Sequence, residues 1–518
     1  YRWRDGDWKG RPWEEAIFYE LHVGTFSPEG TFAGCREKLD YLADLGVTAV
    51  ELMPVADFPG SRNWGYDGVS LFAPDSRYGR PEDLKALIDA AHARGIMVFL
   101  DVVYNHFGPE GNYLHAYAEP FFRDRRQTPW GAALDFDGPA SRWVREFFVH
   151  NALYWLEEYH LDGLRLDAVQ AIHDGSPRHL LEEIAQGVRE TLGRDRHIHL
   201  VLENDDNAAD YLERTGAGLP RLYDAQWNDD IHHALHVALT GQNGGYYADY
   251  AEQPVEQLAR CLTEGFAYQG EASRHRGGAA RGQPSGHLPA IAFVSFLQNH
   301  DQIGNRAFGE RIHALAGPDS VRAALATLLL APAPPLLFMG QEWGATQPFL
   351  FFCDLGEDLA GKVIEGRCRE FSRFPEFREP SARAAIPDPM AARTFAASVL
   401  DWDVLSRPPH DLWLAFHQKL LAIRQRDIVP RLRDMPAGRA AFEMLGDRAF
   451  RANWPLADGS SLVLLANFHT EQAVGVPHRP GRVLFDTHAA TAIDGEPDRQ
   501  RLPPWSVLWG IAQDNPAA

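Results

Sequence analysis

The sequence predicts an α/β chain built on a closed (β/α)8 TIM barrel, with an inserted subdomain after the third strand and a C-terminal antiparallel β domain. Three observations predict it. Short β-rich apolar runs alternate with amphipathic helical patterns, which is the signature of repeated βα units around a parallel sheet. One connection, 107–141, is an irregular stretch of about 35 residues rich in Gly, Pro and aromatics, too long for a routine loop. From about residue 431 the helical pattern gives way to strands joined by tight turns.

Eight strand candidates follow in order: "AIFYELHVGTF" (16–26), "TAVELMPV" (48–55), "IMVFLDVVYNH" (96–106), "GLRLDAV" (163–169), "HIHLVLEN" (197–204), "LYDAQW" (222–227), "AIAFVSFLQNHD" (290–301) and "PPLLFMGQE" (334–342). Helices fall between them. "CREKLDYLADLG" has apolar residues at helical spacing and closes on Gly46, and "PEDLKALIDAAHARG" has Pro81 near its start and Gly95 at its end. The stretch 343–400 is expected to be irregular, ahead of the helix "DLWLAFHQKLLAIRQR". In "RAFRANWPLADGSSLVLLANFH", Asp458 and Gly459 sit at a hairpin bend. The expected domains are a barrel from 1–106 and 142–430, an insert over 107–141, and a β domain over 431–518.

Composition narrows the function classes. The 518 residues carry 50 Lys plus Arg against 71 Asp plus Glu, a formal charge of −21, which disfavours nucleic acid and anionic membrane as partners. The four cysteines, Cys35, Cys261, Cys353 and Cys368, have no CxxC spacing, so a reducing, cytoplasmic setting is expected. The uncharged stretch "ALATLLLAPAPPLLFMG" (324–340) contains three prolines and is shorter than the roughly 20 apolar residues of a membrane span. The first residue is Tyr and no signal peptide opens the chain, so a shortened or processed N-terminus is expected.

In a barrel of this kind the polar residues at the C-terminal ends of the strands line the active site. Asp101, Asn105 and His106 close the third run, Arg165 and Asp167 the fourth, Glu203 the fifth, and His300 and Asp301 the seventh. Arg165 and Asp167 stand two apart in an apolar strand and so share a face. A charge left unpaired in an apolar interior is costly, so that face is either a structural ion pair or a functional site. Any one such residue could equally cap a following helix. Together they bring Asp167, Glu203 and Asp301 to one mouth, the pattern of paired-carboxylate glycoside chemistry or of a metal site. Interleaved Arg165, His106 and His300 oppose a cation. Trp64 and Tyr66 in "NWGYDG" are candidates for stacking on sugar faces or for packing the rim.

"DVVYNH", "GLRLDAVQ", "LENDDN" and "FLQNHDQIGN", in this order and at these strand ends, resemble the four signature regions of the α-amylase clan of glycoside hydrolases. The resemblance implies a retaining mechanism with Asp167 as nucleophile and Glu203 as general acid/base. It implies that Asp301 stabilises the distorted sugar, while Tyr66, His106, Arg165 and His300 hold it. Arg165 is then expected to keep Asp167 ionised, and the neighbouring negative charge to raise the pKa of Glu203. Within the clan, "ENDDNAADYL" and "YDAQWNDDIHHALHVALTG" resemble the trehalohydrolases, which implies an α-glucan oligosaccharide substrate and trehalose as product. "AIFYELHVGTFSPEGTF" also fits, more loosely, the glycogen branching enzymes, whose region after the fifth strand differs from "ENDDN". The resemblance to the trehalohydrolases also implies a small β domain ahead of the barrel, so an N-terminally shortened chain is expected. Asp229, Asp230, His232 and His233 are expected to supply hydrogen bonds to the trehalose end, although "DDIHHALH" also opens an amphipathic helix in which either Asp could be a cap. No cofactor and no metal ligand is assigned. Calcium stays open, since 107–141 shows no acidic cluster beyond Asp124, Asp135 and Asp137.

Overall fold

A computed structural model describes residues 1–128, 131–193, 195–372, 374, 377–474, 480–488 and 501–513, with the side chains of 124–131 outside the description. Eight parallel strands close into a barrel: β1 (Phe18–Leu21), β2 (Ala49–Leu52), β3 (Met97–Val102), β4 (Gly163–Leu166), β5 (His199–Leu202), β6 (Ala225–Trp227), β7 (Phe293–Phe296) and β8 (Pro335–Phe338). Each is shorter than its apolar run, because only the central residues pair before the chain bends into the active-site loops.

The barrel interior is layered by the two-residue period of the strands. Phe18, Ala49, Phe99, Val201, Ala225, Val294 and Leu336 fill the lower layers with apolar bulk. Two residues further along the same inward faces stand Glu20, Glu51, Asp101, Glu203 and Trp227, and Arg165 follows Gly163 in the same way. Gly163 is required there, since a Cβ would lie 2.2 Å from the Phe99 ring and 2.5 Å from the His199 carbonyl oxygen. The inner surface thus changes from apolar packing to charge at one level of the barrel.

Helices wrap the outside. Pro81 occupies the first turn of Pro81–His92, and Gly46, at φ 99°, ends Leu39–Leu45 by donating to the Ala43 and Leu42 carbonyls. The segment after β3 holds a single turn, Leu114–Tyr117, and a hairpin of Phe122–Thr128 with Gly131–Leu134. The segment after β8 departs from expectation. It includes a 15-residue helix, Glu357–Phe371, whose Gly361 and Gly366 weaken its helical signal and whose only buried residue is Phe371.

The C-terminal sheet pairs β9 (Ala441–Met444), β10 (Ala449–Pro455), β11 (Ser460–Asn467), β12 (Arg482–Asp486) and β13 (Ser506–Gln513) in the antiparallel order β9-β10-β11-β13-β12. Its Trp454 and Trp509 stack with ring centres 5.4 Å apart, and each indole N–H reaches a barrel helix, at Leu262 O and Ala326 O respectively.

Candidate active site

Arg165, fully buried at the end of β4, organises the mouth of the barrel. Its Nη1 donates to Asp101 Oδ2 at 2.5 Å and to Asp167 Oδ1 at 3.0 Å, its Nη2 donates to Glu203 Oε2 at 2.7 Å, and its guanidinium lies 4.1 Å from the Trp227 ring centre. One rigid fork therefore fixes an oxygen of each of three carboxylates. Asn105 donates from Nδ2 to Asp167 Oδ2 at 2.9 Å and to its backbone carbonyl at 3.0 Å. Ala168 has the left-handed φ of 41°, which costs a residue with a Cβ on the order of 1–3 kcal/mol, and its N–H donates to Glu203 Oε2 at 2.8 Å.

A second chain of contacts starts at β1. Glu20 accepts from His300 Nδ1 and from the His300 backbone N–H, His300 Nε2 donates to the Tyr66 hydroxyl at 2.8 Å, and that hydroxyl donates to Asp101 Oδ2 at 2.7 Å. Both His300 nitrogens face acceptors. Burial alone would lower its pKa, but Glu20 and Asp301 raise it to about 9, so an imidazolium lies under the site. Gly65, at φ 110°, comes so close to Pro54 that a Cβ would lie 2.1 Å from the Pro54 carbonyl oxygen, and this tight passage turns Tyr66 inward. His106 Nε2 stands 2.9 Å from the Tyr66 carbonyl oxygen. Asp301 lies at the start of the short helix His300–Gly304, whose Asn299 cap accepts from the Asp301 N–H, and its side chain is about one third exposed to the cleft.

Burial pushes both inner carboxyls up, Asp167 to about 6 and Glu203 to about 7. Arg165 lowers both, so it does not distinguish them as expected. Asp301 raises both as well; what separates them is that Asn105 stabilises the Asp167 anion, while the charge of Asp167 bears on Glu203. Glu203 is consequently the group that keeps its proton longer.

The remaining expectations divide. Asp167, Glu203, Asp301, Tyr66, His106, Arg165 and His300 converge on the mouth. Trp64 offers no stacking face: it is buried, donates from Nε1 to Leu350 O, stacks on Phe349 and meets His300 edge-on, so it backs the site instead. Asp230 is fully buried, paired with Arg281 Nη1 at 2.8 Å and accepting from Asn207 and the Ala267 and Tyr268 N–H groups, which leaves it nothing for a substrate. His232 is likewise occupied by Leu297 O and the Tyr247 hydroxyl. Asp229 opens the helix Asp229–Thr240, is half-buried and accepts from Gln302 Nε2 at 3.3 Å, and burial together with Glu203, Asp205 and Asp301 pushes its carboxyl well above the usual range. His233 is half-buried among Tyr246, Tyr247 and Tyr250, and burial pushes its imidazole well below the usual range.

Sequence reasoning missed Glu20, Glu51, Gln302 and Arg281. The signal for the first two was present: each is a lone charge in an apolar strand, as Arg165 is. Among the described residues no group of three or more His, Cys, Asp or Glu is arranged to hold a metal ion, and the Asp124 side chain lies outside them.

Comparison with known proteins adds lineage to this geometry. Residues 2–130 match the family model of the α-amylase catalytic domain, and 437–509 match a domain of unknown function. A malto-oligosyltrehalose trehalohydrolase of Deinococcus radiodurans is 45% identical over 83% of this chain and 69% of its own length. Another, of Rhizobium sp. (strain M-11), is 40% identical over 98% of this chain and 83% of its own. A crystallised Salmonella typhimurium chain that carries a provisional α-amylase label superposes with a TM-score of 0.92 at 46% identity, covering 99% of this chain and 84% of that one.

Proposed function

The chain belongs to the malto-oligosyltrehalose trehalohydrolase family, and on that premise we propose that Asp167, Glu203 and Asp301 carry out its glycoside cleavage. The protein is a glycoside hydrolase of the α-amylase type that releases trehalose from malto-oligosyltrehalose. The observation that carries the residue assignment is the Arg165 fork, which holds Asp167 and Glu203 to a single guanidinium and so keeps both within reach of one glycosidic bond.

Glu203 gives its proton to the glycosidic oxygen as the Asp167 carboxylate attacks the anomeric carbon; the carbon–oxygen bond breaks, trehalose leaves with the proton, and a glycosyl ester remains on Asp167. Glu203, now ionised, takes a proton from water as the hydroxyl attacks the same carbon, and Asp167 is released. The anomeric configuration is retained, because each displacement inverts it once. Asp301 accepts hydroxyls of the distorted ring. Arg165, Tyr66 and the His300 imidazolium hold the charge balance beneath it. Asp229 and His233, beyond Glu203 on the leaving-group side, are the groups we assign to the trehalose end.

The substrate is an α-glucan oligosaccharide. Among the described residues no helix is long and apolar enough to cross a membrane. We place the protein in a reducing, cytoplasmic setting on its four unpaired cysteines and acidic charge. Incubation with malto-oligosyltrehalose and, separately, with amylose, followed by separation of the products, tests the assignment. Free trehalose from the first is the expected result, and new α-1,6 branches from the second would instead identify a glucan transferase.

A further inference from the structure

The inner face of the barrel carries a carboxyl group, Glu51, that the catalytic scheme leaves unused. Glu51, on β2, is 1% exposed, and neither of its carboxyl oxygens has a hydrogen-bond partner among the described residues. Two further polar atoms on the next strands round the barrel share that condition: Asp101 Oδ1 on β3 and Arg165 Nε on β4. The register brings these residues together, because Glu51 pairs with Phe99, two residues before Asp101 on the same inward face, and Asp101 pairs with Arg165. Buried polar atoms left without partners are rare and cost about 1–3 kcal/mol each, so four of them on three adjacent strands call for a shared partner.

We propose that Glu51 is a positioning residue for the Asp167 and Glu203 pair, joined through one buried water to Asp101 Oδ1 and Arg165 Nε. One water serves three of these four atoms. The water accepts from Arg165 Nε–H and from the Glu51 O–H, and it donates to Asp101 Oδ1, which gives it the two to four polar partners that a buried water needs. Glu51 enters as an un-ionised acid. Burial pushes its carboxyl far above the usual range, with Glu20 on β1 and Asp101 on β3 acting in the same direction and Arg165 and His300 opposing. Arg165 is then held on both sides: its Nη atoms meet the catalytic carboxylates, and its Nε is fixed from below. Without the lower contact the guanidinium can tilt about its stem, and both catalytic oxygens move with it.

This role rests on the assignment of Asp167 and Glu203 as the cleaving pair, and the test separates the two. Glu51→Gln keeps a donor and an acceptor, whereas Glu51→Leu keeps the bulk and removes both. Each variant and the parent chain are assayed on malto-oligosyltrehalose and on an aryl α-maltoside, with thermal unfolding recorded alongside. Because small displacements of catalytic groups are costly to rate, the Leu variant is expected to lose about ten- to a hundred-fold in kcat on both substrates, with KM within about two-fold and the Gln variant within about three-fold of the parent. A folded Leu variant with the parent's kcat overturns the proposal. So does a Gln variant as impaired as the Leu one, or a loss confined to KM. If the Leu variant does not fold, the Gln variant decides: it must retain kcat, and a crystal structure of the parent chain must show water density between residues 51, 101 and 165. Failure of the parent chain to release trehalose is instead a failure of the functional assignment, and the aryl substrate still reads the effect at residue 51.

Discussion

Asp167 and Glu203 accept from the same guanidinium, so exchanging either for its amide preserves shape while removing one chemical act. Asp167→Asn cannot form the glycosyl ester. It is expected to unfold at the parent's temperature and to retain less than about one per cent of the turnover, measured by trehalose release. A folded variant with more activity than that would move the nucleophile elsewhere. Glu203→Gln loses proton donation, which matters most for a poor leaving group such as a sugar hydroxyl. In the glycosylation step an aryl glycoside should therefore suffer far less than malto-oligosyltrehalose, and equal losses would contradict the role. The same two groups set the pH dependence. Asp167 must be ionised and Glu203 protonated, so activity should fall as pH drops below about 6 and again as it rises above about 7, a bell whose arms belong to the interacting pair. A profile with only one arm would show that one of the two does not titrate in the reaction.

The helix Asp229–Thr240 shows how one element serves both fold and specificity. Its first two residues are both Asp, yet successive positions on a helix point about 100° apart, so Asp229 meets the cleft and Gln302 while Asp230 turns inward to Arg281. Ala at Asp229 or at His233 is expected to lower kcat/KM for malto-oligosyltrehalose about ten-fold or more beyond any loss on malto-oligosaccharides of equal length, because a site built to bond a hydroxyl discriminates against analogues lacking it. Asp230→Ala removes the buried carboxylate from the Arg281 guanidinium, leaving it only the exposed carboxylate of Asp205 at 3.2 Å. It should cost about 3–5 kcal/mol of stability, read by denaturant unfolding, with the ratio between the two substrates unchanged. A changed ratio at Asp230, or an unchanged one at Asp229 and His233, would reverse these roles.

At the scale of the molecule, the C-terminal sheet is fastened to barrel helices on the outside, away from the strand ends that carry the chemistry. Trp509 is fully buried, stacks on Trp454 and bonds Ala326 O in the helix Pro318–Leu329. Trp509→Ala opens a cavity at that junction and should destabilise the chain by about 3–5 kcal/mol, lowering its melting temperature. Below the new melting temperature kcat should stay at the parent's value, and a parallel loss of kcat would show that the sheet bears on the active site.

The eight barrel strands and the four strand-end motifs were legible because both depend on local pattern: apolar runs define strands, and a charge inside such a run is conspicuous wherever the chain folds. Arg165, Asp167, Glu203 and His300 could be singled out this way, and by the same sign Glu20 and Glu51 stood open to notice. The partners of these charges were not legible. Trp64 and Tyr66 lie two residues apart in one turn, and only the packing of Phe349 and Leu350, from nearly three hundred residues away, decides that Trp64 backs the site while Tyr66 enters it. Asp229 and Asp230 are likewise equivalent as letters. The position of Arg281, some fifty residues on, makes one a buried ion pair and leaves the other to the cleft. The order of the two catalytic pKa values was also decided in three dimensions, since the Asn105 contact to Asp167 and the closeness of the Asp167 charge to Glu203 separate them, and burial, which raises both, is a property of the assembled barrel and not of any strand alone.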